Sequence, residues 1–172
     1  APSGKNLQNW HFVAIKNRNL IGKIRQAVYD KNELVCKSMD NVDEIKANRF
    51  RKFCKNFTLF FANAPVLFVV YSTVYTPSGY NEYQLINGSE KILWDLIDHR
   101  SPGMQSVGAA LENLTLKAID MGYGTCWETS ANYAAPEIES LLKEEIGFDK
   151  EGFFMVALMA MEIPEENQKS PW

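Results

Sequence analysis

Two histidines and three cysteines are all that the 172-residue sequence offers of the side chains that bind transition metals most tightly. Cys36, Cys54 and Cys126 are odd in number, widely spaced and without a CxxC pair, so neither a disulfide framework nor a zinc site is indicated. A reducing cytoplasm fits that usage. No apolar run approaches the roughly 20 residues needed to span a bilayer, and the first residues lack the charged-then-apolar pattern of a secretory signal. Charge is not one-sided either: 18 basic and 21 acidic residues are intermingled, a formal net charge of −3, which argues against a nucleic-acid footprint. GxxxxGK[ST] is missing, and Gly122-x-Gly124 follows a helical pattern instead of joining a strand to a helix, so neither nucleotide fingerprint applies. With no internal repeat, low-complexity tract or linker, residues 1–172 read as one domain.

What is present is a globular core, 46% apolar and 12% aromatic. The chain is organised around Ser101 to Ser130. From Met104 to Met121 apolar residues recur at helical spacings and spread around most of the cylinder, which predicts an internal helix. Pro102 suits its first turn and Gly122 a left-handed stop. The stretch from Gly122 to Ser130 then delivers small residues and irregular backbone to one place, a good lining for a planar ligand.

Trp10 to Ile15 reads as a short strand after a polar loop, and Asn19 to Asp30 as an amphipathic helix. Lys31 to Val42 reads as loop. Asp43 to Ala62 is helical again, ending in Phe50, Phe53, Phe57, Phe60 and Phe61, and is stopped at Asn63-Ala64-Pro65. Val66 to Tyr71 and Phe153 to Met161 are apolar throughout, as in strands buried on both faces. Between the first of these and a short helix at Glu90 to Ile97 lies a long excursion, Thr73 to Ser89, of the kind that is often functional or at an interface. A last helix runs from Pro136 to Ile146. Interleaved helices and apolar strands predict a sheet covered on both sides.

Conventional catalytic signatures are weak. Cys126 with His11 or His99 would make a nucleophile and base, but nothing in the sequence brings them together. Glu144-Glu145 and Glu165-Glu166 read as solvated pairs. The basic run Lys46, Arg49, Arg51, Lys52 and Lys55 reads as a solvated helix face that could also meet an anion. The weight therefore shifts to chemistry supplied by a bound cofactor.

The segment from Pro2 to Phe12, PSGKNLQNWHF, resembles the PS(S/G)xNxQPWxF loop of the FMN-dependent nitroreductase family. Three further matches follow in order: Ala64-Pro65 with its strand, the small-residue helix through Ala109 to Leu114, and Gly122 to Trp127. The resemblance implies an α+β flavoprotein, a three-layer α/β/α sandwich around a mixed, mostly antiparallel sheet. It further implies a homodimer with FMN at the subunit interface, no membrane or nucleic-acid partner, and no resident metal. NAD(P)H would reduce the flavin, and a nitroaromatic, quinone or similar acceptor would then take its place, in ping-pong order. Two alternatives share the fold: a catalytically inactive flavin-binding or regulatory protein, and a flavoenzyme of different chemistry such as dehalogenation or flavin destruction.

Carried over by position, Pro2, Ser3, Gly4 and Asn6 would contact the ring and ribityl portion from the partner subunit, with Gln8 supporting their loop. Asn56 resembles the residue at the flavin's pyrimidine edge. Trp127, Glu128, Thr129 and Ser130 would offer backbone N–H groups near N5 and O4, and Lys169 resembles the tail lysine that meets the phosphate. No side chain is implied as a catalytic acid or base, since the flavin carries the hydride. Amides and cations are the groups that an electron-rich ring and a phosphate dianion require. Two departures stand out. Asn9 occupies the usual proline position before Trp10, and the family's N-terminal Arg-rich phosphate motif would precede Ala1, so weak FMN binding is expected of a chain of this extent.

Overall fold

The computed structural model describes residues 1–164. Its strands are β1 (Trp10–Ile15), β2 (Val66–Thr73), β3 (Gly124–Glu128) and β4 (Phe153–Glu162), in spatial order β1-β2-β4-β3. Three pairings join them, and all are antiparallel. The parallel component expected of a mixed sheet is therefore not among the described residues. Sequence periodicity found β1, β2 and β4. The fourth strand, β3, is the β-prone segment after the Gly122 bend.

The two central strands explain the layering. Leu67, Val69 and Tyr71 of β2, with Met155, Leu158 and Ala160 of β4, face one side and pack on α1 (Arg18–Asp40) and α6 (Ala135–Ile146) through Ile21, Ile24, Val28, Ile138 and Leu142. Val70, Ala157 and Met159 face the other side, against Val107 and Leu111 of α5 (Pro102–Asp120). Alternation along a strand supplies one core per face, and the result is the expected α/β/α sandwich.

α1 corrects the expected loop from Lys31 to Val42. The buried stripe Leu20, Ile21, Ile24 and Val28 continues in Asn32 and Cys36, so the helix runs on to Asp40. Asn32 interrupts the apolar pattern, and inside it the Cys36 thiol lies within hydrogen-bonding reach of Asn32 Oδ1 (3.7 Å) and Ala47 O (3.5 Å), while Asn32 Nδ2 has no partner among the described residues. The next helix is also broken up. α2 spans Glu44–Phe53, widens into a π-helical turn at Cys54–Thr58, and tightens into a 3-10 turn at Leu59–Asn63. The excursion after β2 holds two short helices, α3 (Tyr80–Leu85) and α4 (Glu90–Ile97).

α5 starts at Pro102, as expected, and Gly122 (φ 83°) terminates it. It is not internal all round. Gly103, Ser106, Val107, Ala110, Leu111 and Ala118 are buried along one stripe, whereas Met104, Leu116, Ile119 and Met121 are exposed.

The register between β2 and β4 shifts after Val70, which leaves Val156 as the extra residue of a bulge. Both polar groups freed there are captured: Met155 N donates to Glu139 Oε1 (2.6 Å), and Asn132 Nδ2 donates to Val156 O (2.7 Å). Asn132 thereby ties the turn after β3 to the centre of the sheet. Asn132→Ala, which orphans that carbonyl, is expected to lower stability by about 1–3 kcal/mol in urea denaturation, and no loss of stability would contradict this role.

Candidate functional site

The opening loop is held by a tyrosine that sequence reasoning passed over. Tyr75, just after β2, is wedged between two glycines. A Cβ on Gly4 would land on the Tyr75 hydroxyl, and one on Gly103 would lie 2.8 Å from Tyr75 Cβ. Neither position leaves room for a side chain. Around this wedge Gly4 N donates to Ser106 Oγ (3.2 Å), Lys5 Nζ donates to Thr76 O (3.0 Å), and the Lys5 ammonium lies 5.7 Å from the Tyr75 ring centre. Asn9, the residue in the proline position, is buried and acts as a strut, donating from Nδ2 to Ser72 Oγ (2.9 Å) and Gly103 O (3.1 Å). Gly103 was visible as a clue: a glycine inside a first helical turn is unfavourable unless another group comes close.

Within the loop, Ser3 Oγ accepts from Gln8 N (3.0 Å) and Asn6 Oδ1 accepts from Gln8 Nε2 (3.4 Å). Ser3 and Gln8 thus do turn-forming work. Lys5, Asn6 and Gln8 all have left-handed backbones (φ 54°, 53° and 48°), a strained run for residues other than glycine. Pro2, Asn6 and Gln8 are exposed, and Ser3 and Gly4 are half-buried.

The second cluster lies elsewhere. Among the described residues β3 pairs only with β4, so its other edge presents backbone N–H and C=O groups without a strand partner there. Trp127 is exposed on the α5 side, with its ring tip near Gly108. Glu128 points the opposite way, into the layer of α1 and α6. It is only 8% exposed, its Oε2 accepts from Ser130 Oγ (2.8 Å), and its Oε1 has no partner among the described residues. Loss of water pushes its carboxyl up to about 7, against a smaller opposing effect of the Ser130 hydrogen bond. Glu128 is the one buried acid among the described residues.

Asn56 is exposed in the π-helical turn. Its turn meets the segment after β3 where Tyr133 Oη donates to Cys54 Sγ (3.5 Å). The structure therefore brings Asn56 and the segment from Trp127 to Ser130 onto one side. It sets Pro2, Ser3, Gly4, Asn6 and Gln8 beside β1, at the opposite edge of the sheet. Three inter-strand spacings, roughly 14 Å, separate the two edges. One chain does not close the two groups around a common ring. Lys169 lies outside the described residues.

The nucleophile reading ends here. Cys126 sits on β3 and His11 on β1, at opposite edges. Burial, then Glu128, pushes the Cys126 thiol up, away from the reactive thiolate. His11 is stacked on Phe148 and held below its ordinary value by burial and then by Lys150. His99 is engaged by Asp95 (2.5 Å). No metal-binding cluster occurs among the described residues.

A family model described as "Nitroreductase family" matches residues 1–161. This chain belongs to the nitroreductase family. Among solved structures, a BluB-like flavoprotein from Clostridium difficile 630 is 55% identical, with a TM-score of 0.94 over 100% of this chain and 78% of that one. A nitroreductase with bound FMN from Bacteroides fragilis shares the fold at 18% identity (TM-score 0.65, 100% and 74% coverage). So does iodotyrosine deiodinase bound to FMN and 3-iodo-L-tyrosine, at 22% identity (TM-score 0.61, 100% and 76%). No match was found among curated proteins. For this nitroreductase-family chain no helix among the described residues is long and apolar enough to cross a membrane.

Two predictions follow from the wedge and the buried acid. Gly103→Ala is expected to cost about 1–3 kcal/mol, because the Tyr75 Cβ it meets is fixed to the backbone. Gly4→Ala should cost less, since only the far end of Tyr75 must move; equal losses in urea denaturation would contradict the wedge. Glu128 has its folded value raised, so its contribution to stability is present in full below pH 4.5 and is lost as pH rises through about 7, a fall of about 3 kcal/mol. Glu128→Gln should flatten that part of the stability–pH curve, and an unchanged slope would show that Glu128 ionises freely.

Proposed function

We propose that this chain is an FMN-dependent oxidoreductase that works as a homodimer, takes reducing equivalents from NAD(P)H and passes them to a small acceptor such as a nitroaromatic or quinone. The observation that carries this reading is the division of the site. Two groups suited to a flavin stand at opposite edges of one sheet, and a second copy completes each of them. The exposed apolar faces support the pairing. Met104, Leu116, Ile119 and Met121 on α5 and Ile92, Trp94 and Ile97 on α4 are open in the single chain.

The residues fit the cofactor in kind. Small side chains at Ser3 and Gly4 let backbone approach a flat ring, and the strained, exposed Asn6 presents an amide beside them. From the other copy, Asn56 and the open-edge N–H groups of Trp127, Glu128, Thr129 and Ser130 supply donors to ring heteroatoms. Lys169 is proposed for the phosphate. The chemistry that FMN supplies when bound is acceptance of a hydride from NAD(P)H and its onward transfer.

The chain's own part is to bind, orient and set the local field. Preorganised N–H dipoles stabilise charge that develops on a reduced ring without reorganisation. Glu128, neutral below about pH 7, keeps a negative charge away from that ring, and its Ser130 hydrogen bond fixes the turn that carries the donors. Trp127 shields one side from water.

A second reading has its own support. The 55% identity to a BluB-like flavoprotein favours a flavoenzyme whose chemistry differs from nitro reduction, such as flavin destruction. Titration with FMN followed by anaerobic NAD(P)H separates the two. The first reading expects saturable binding of added FMN and bleaching of the yellow colour, reversed by a nitroaromatic or quinone. Persistent colour with both NADH and NADPH would overturn it, and progressive loss of FMN in air would favour the second.

A further inference from the structure

α2 has two cationic faces, and the chain treats them differently. Arg51 points inward and is neutralised by Asp40 (2.6 Å) and Glu33 (3.3 Å). Arg49 and Lys52 lie on the other face, are exposed, and have no carboxylate partner among the described residues, whereas Lys55, also exposed, turns back toward α1. Lys55 lies only against the Tyr29 ring, 5.9 Å from its centre.

The outward cations share their surface with aromatic rings. Arg49, Lys52 and Phe53 (i, i+3 and i+4) share one face of the last turns of α2, and the π-helical turn that follows carries Asn56 and Phe57. On that face Phe53 is 44% exposed, and Phe57, 63% exposed, lies 5.6 Å from it, ring centre to ring centre. Asn56 lies beside Phe57 in the π-helical turn at the end of this surface. A solvated helix face has no use for two open phenylalanines, and a core has none for two unpaired cations.

Their combination suits a small polyanion that carries an aromatic base. A nucleic acid is a poor match, because the chain is acidic overall and this surface short. We propose that this outer face of α2 docks the adenosine diphosphate end of NAD(P)H, with phosphates against Arg49 and Lys52 and the adenine against Phe53 and Phe57. The inference rests on the oxidoreductase reading above, in which Asn56 marks the flavin end of this surface. Attraction of this kind is screened by salt, and exposed cations change affinity without touching the chemical step.

Calorimetric titration with ADP-ribose, which has the adenine and pyrophosphate but no nicotinamide, reads this face without turnover. Wild-type chain is expected to bind it saturably and more weakly at higher NaCl. Arg49→Glu/Lys52→Glu should weaken binding at least about tenfold, and Phe53→Ala several-fold. In turnover the double variant should raise KM for NAD(P)H by a similar factor, leaving kcat and KM for reduced nicotinamide mononucleotide unchanged. Absence of saturable binding by wild-type chain, or equal affinity in the double variant, overturns the proposal. The two readings fail separately: ADP-ribose binding without NAD(P)H oxidation keeps the docking face and removes the oxidoreductase, whereas NAD(P)H oxidation with KM indifferent to both reversals does the opposite.

Discussion

The wedging of Tyr75 between Gly4 and Gly103 is the contact on which the arrangement of the site depends. Three pieces of chain far apart in sequence meet there: the opening loop, the root of the α3–α4 excursion and the first turn of α5. Each has a reason to move alone. The loop has strained backbone, the excursion carries exposed apolar residues, and α5 begins from a left-handed Ser101 (φ 36°). Two missing side chains let one aromatic ring lock them. Asn9 and Ser106 add hydrogen bonds that fix the direction in which the loop leaves the sheet.

The other half of the site is supported by different means. Among the described residues β3 is an edge strand whose outer N–H and C=O groups have no strand partner, and edge strands are ordinarily a hazard. Here the strand is short, and the turn after it is fastened to the β4 bulge by Asn132 and to the π-helical turn through Tyr133. A π-helical turn and a bulge, both departures from regular geometry, thus sit beneath the segments proposed to face the flavin. Such departures free or redirect backbone groups, which then need side-chain partners. The buried Glu128 belongs to the same region, and its Oε1, like Thr58 Oγ1 and Asn132 Oδ1, has no partner among the described residues.

Sequence reasoning reached the fold through its strongest signals. Apolar runs marked β2 and β4, helical spacing marked α5, and Pro136 marked the start of α6. It failed where the buried stripe changed character, since Asn32 interrupts the apolar spacing before Cys36 resumes it in the second half of α1. It also made α5 internal, because an apolar cylinder reads the same whether its second face meets this chain's core or another molecule. The site was legible in part. The small-residue loop and the bend after α5 were marked by residue type, but Tyr75, Asn9 and Ser106 act through contacts between distant segments, which no local pattern encodes. The raised pKa of Glu128 arises from burial and has no motif.

The central claim is that a complete flavin site exists only between two chains, and subunit complementation tests it most directly. One variant would carry Ser3→Ala and Asn6→Ala, and another Asn56→Ala and Thr129→Pro. Each homodimer is expected to hold little FMN. After the two are mixed and allowed to exchange subunits, half of the dimers are hybrids with one intact site each, so about a quarter of all sites should fill. A mixture as free of FMN as its parents, or wild-type FMN bound stoichiometrically to a monomer, would contradict the account.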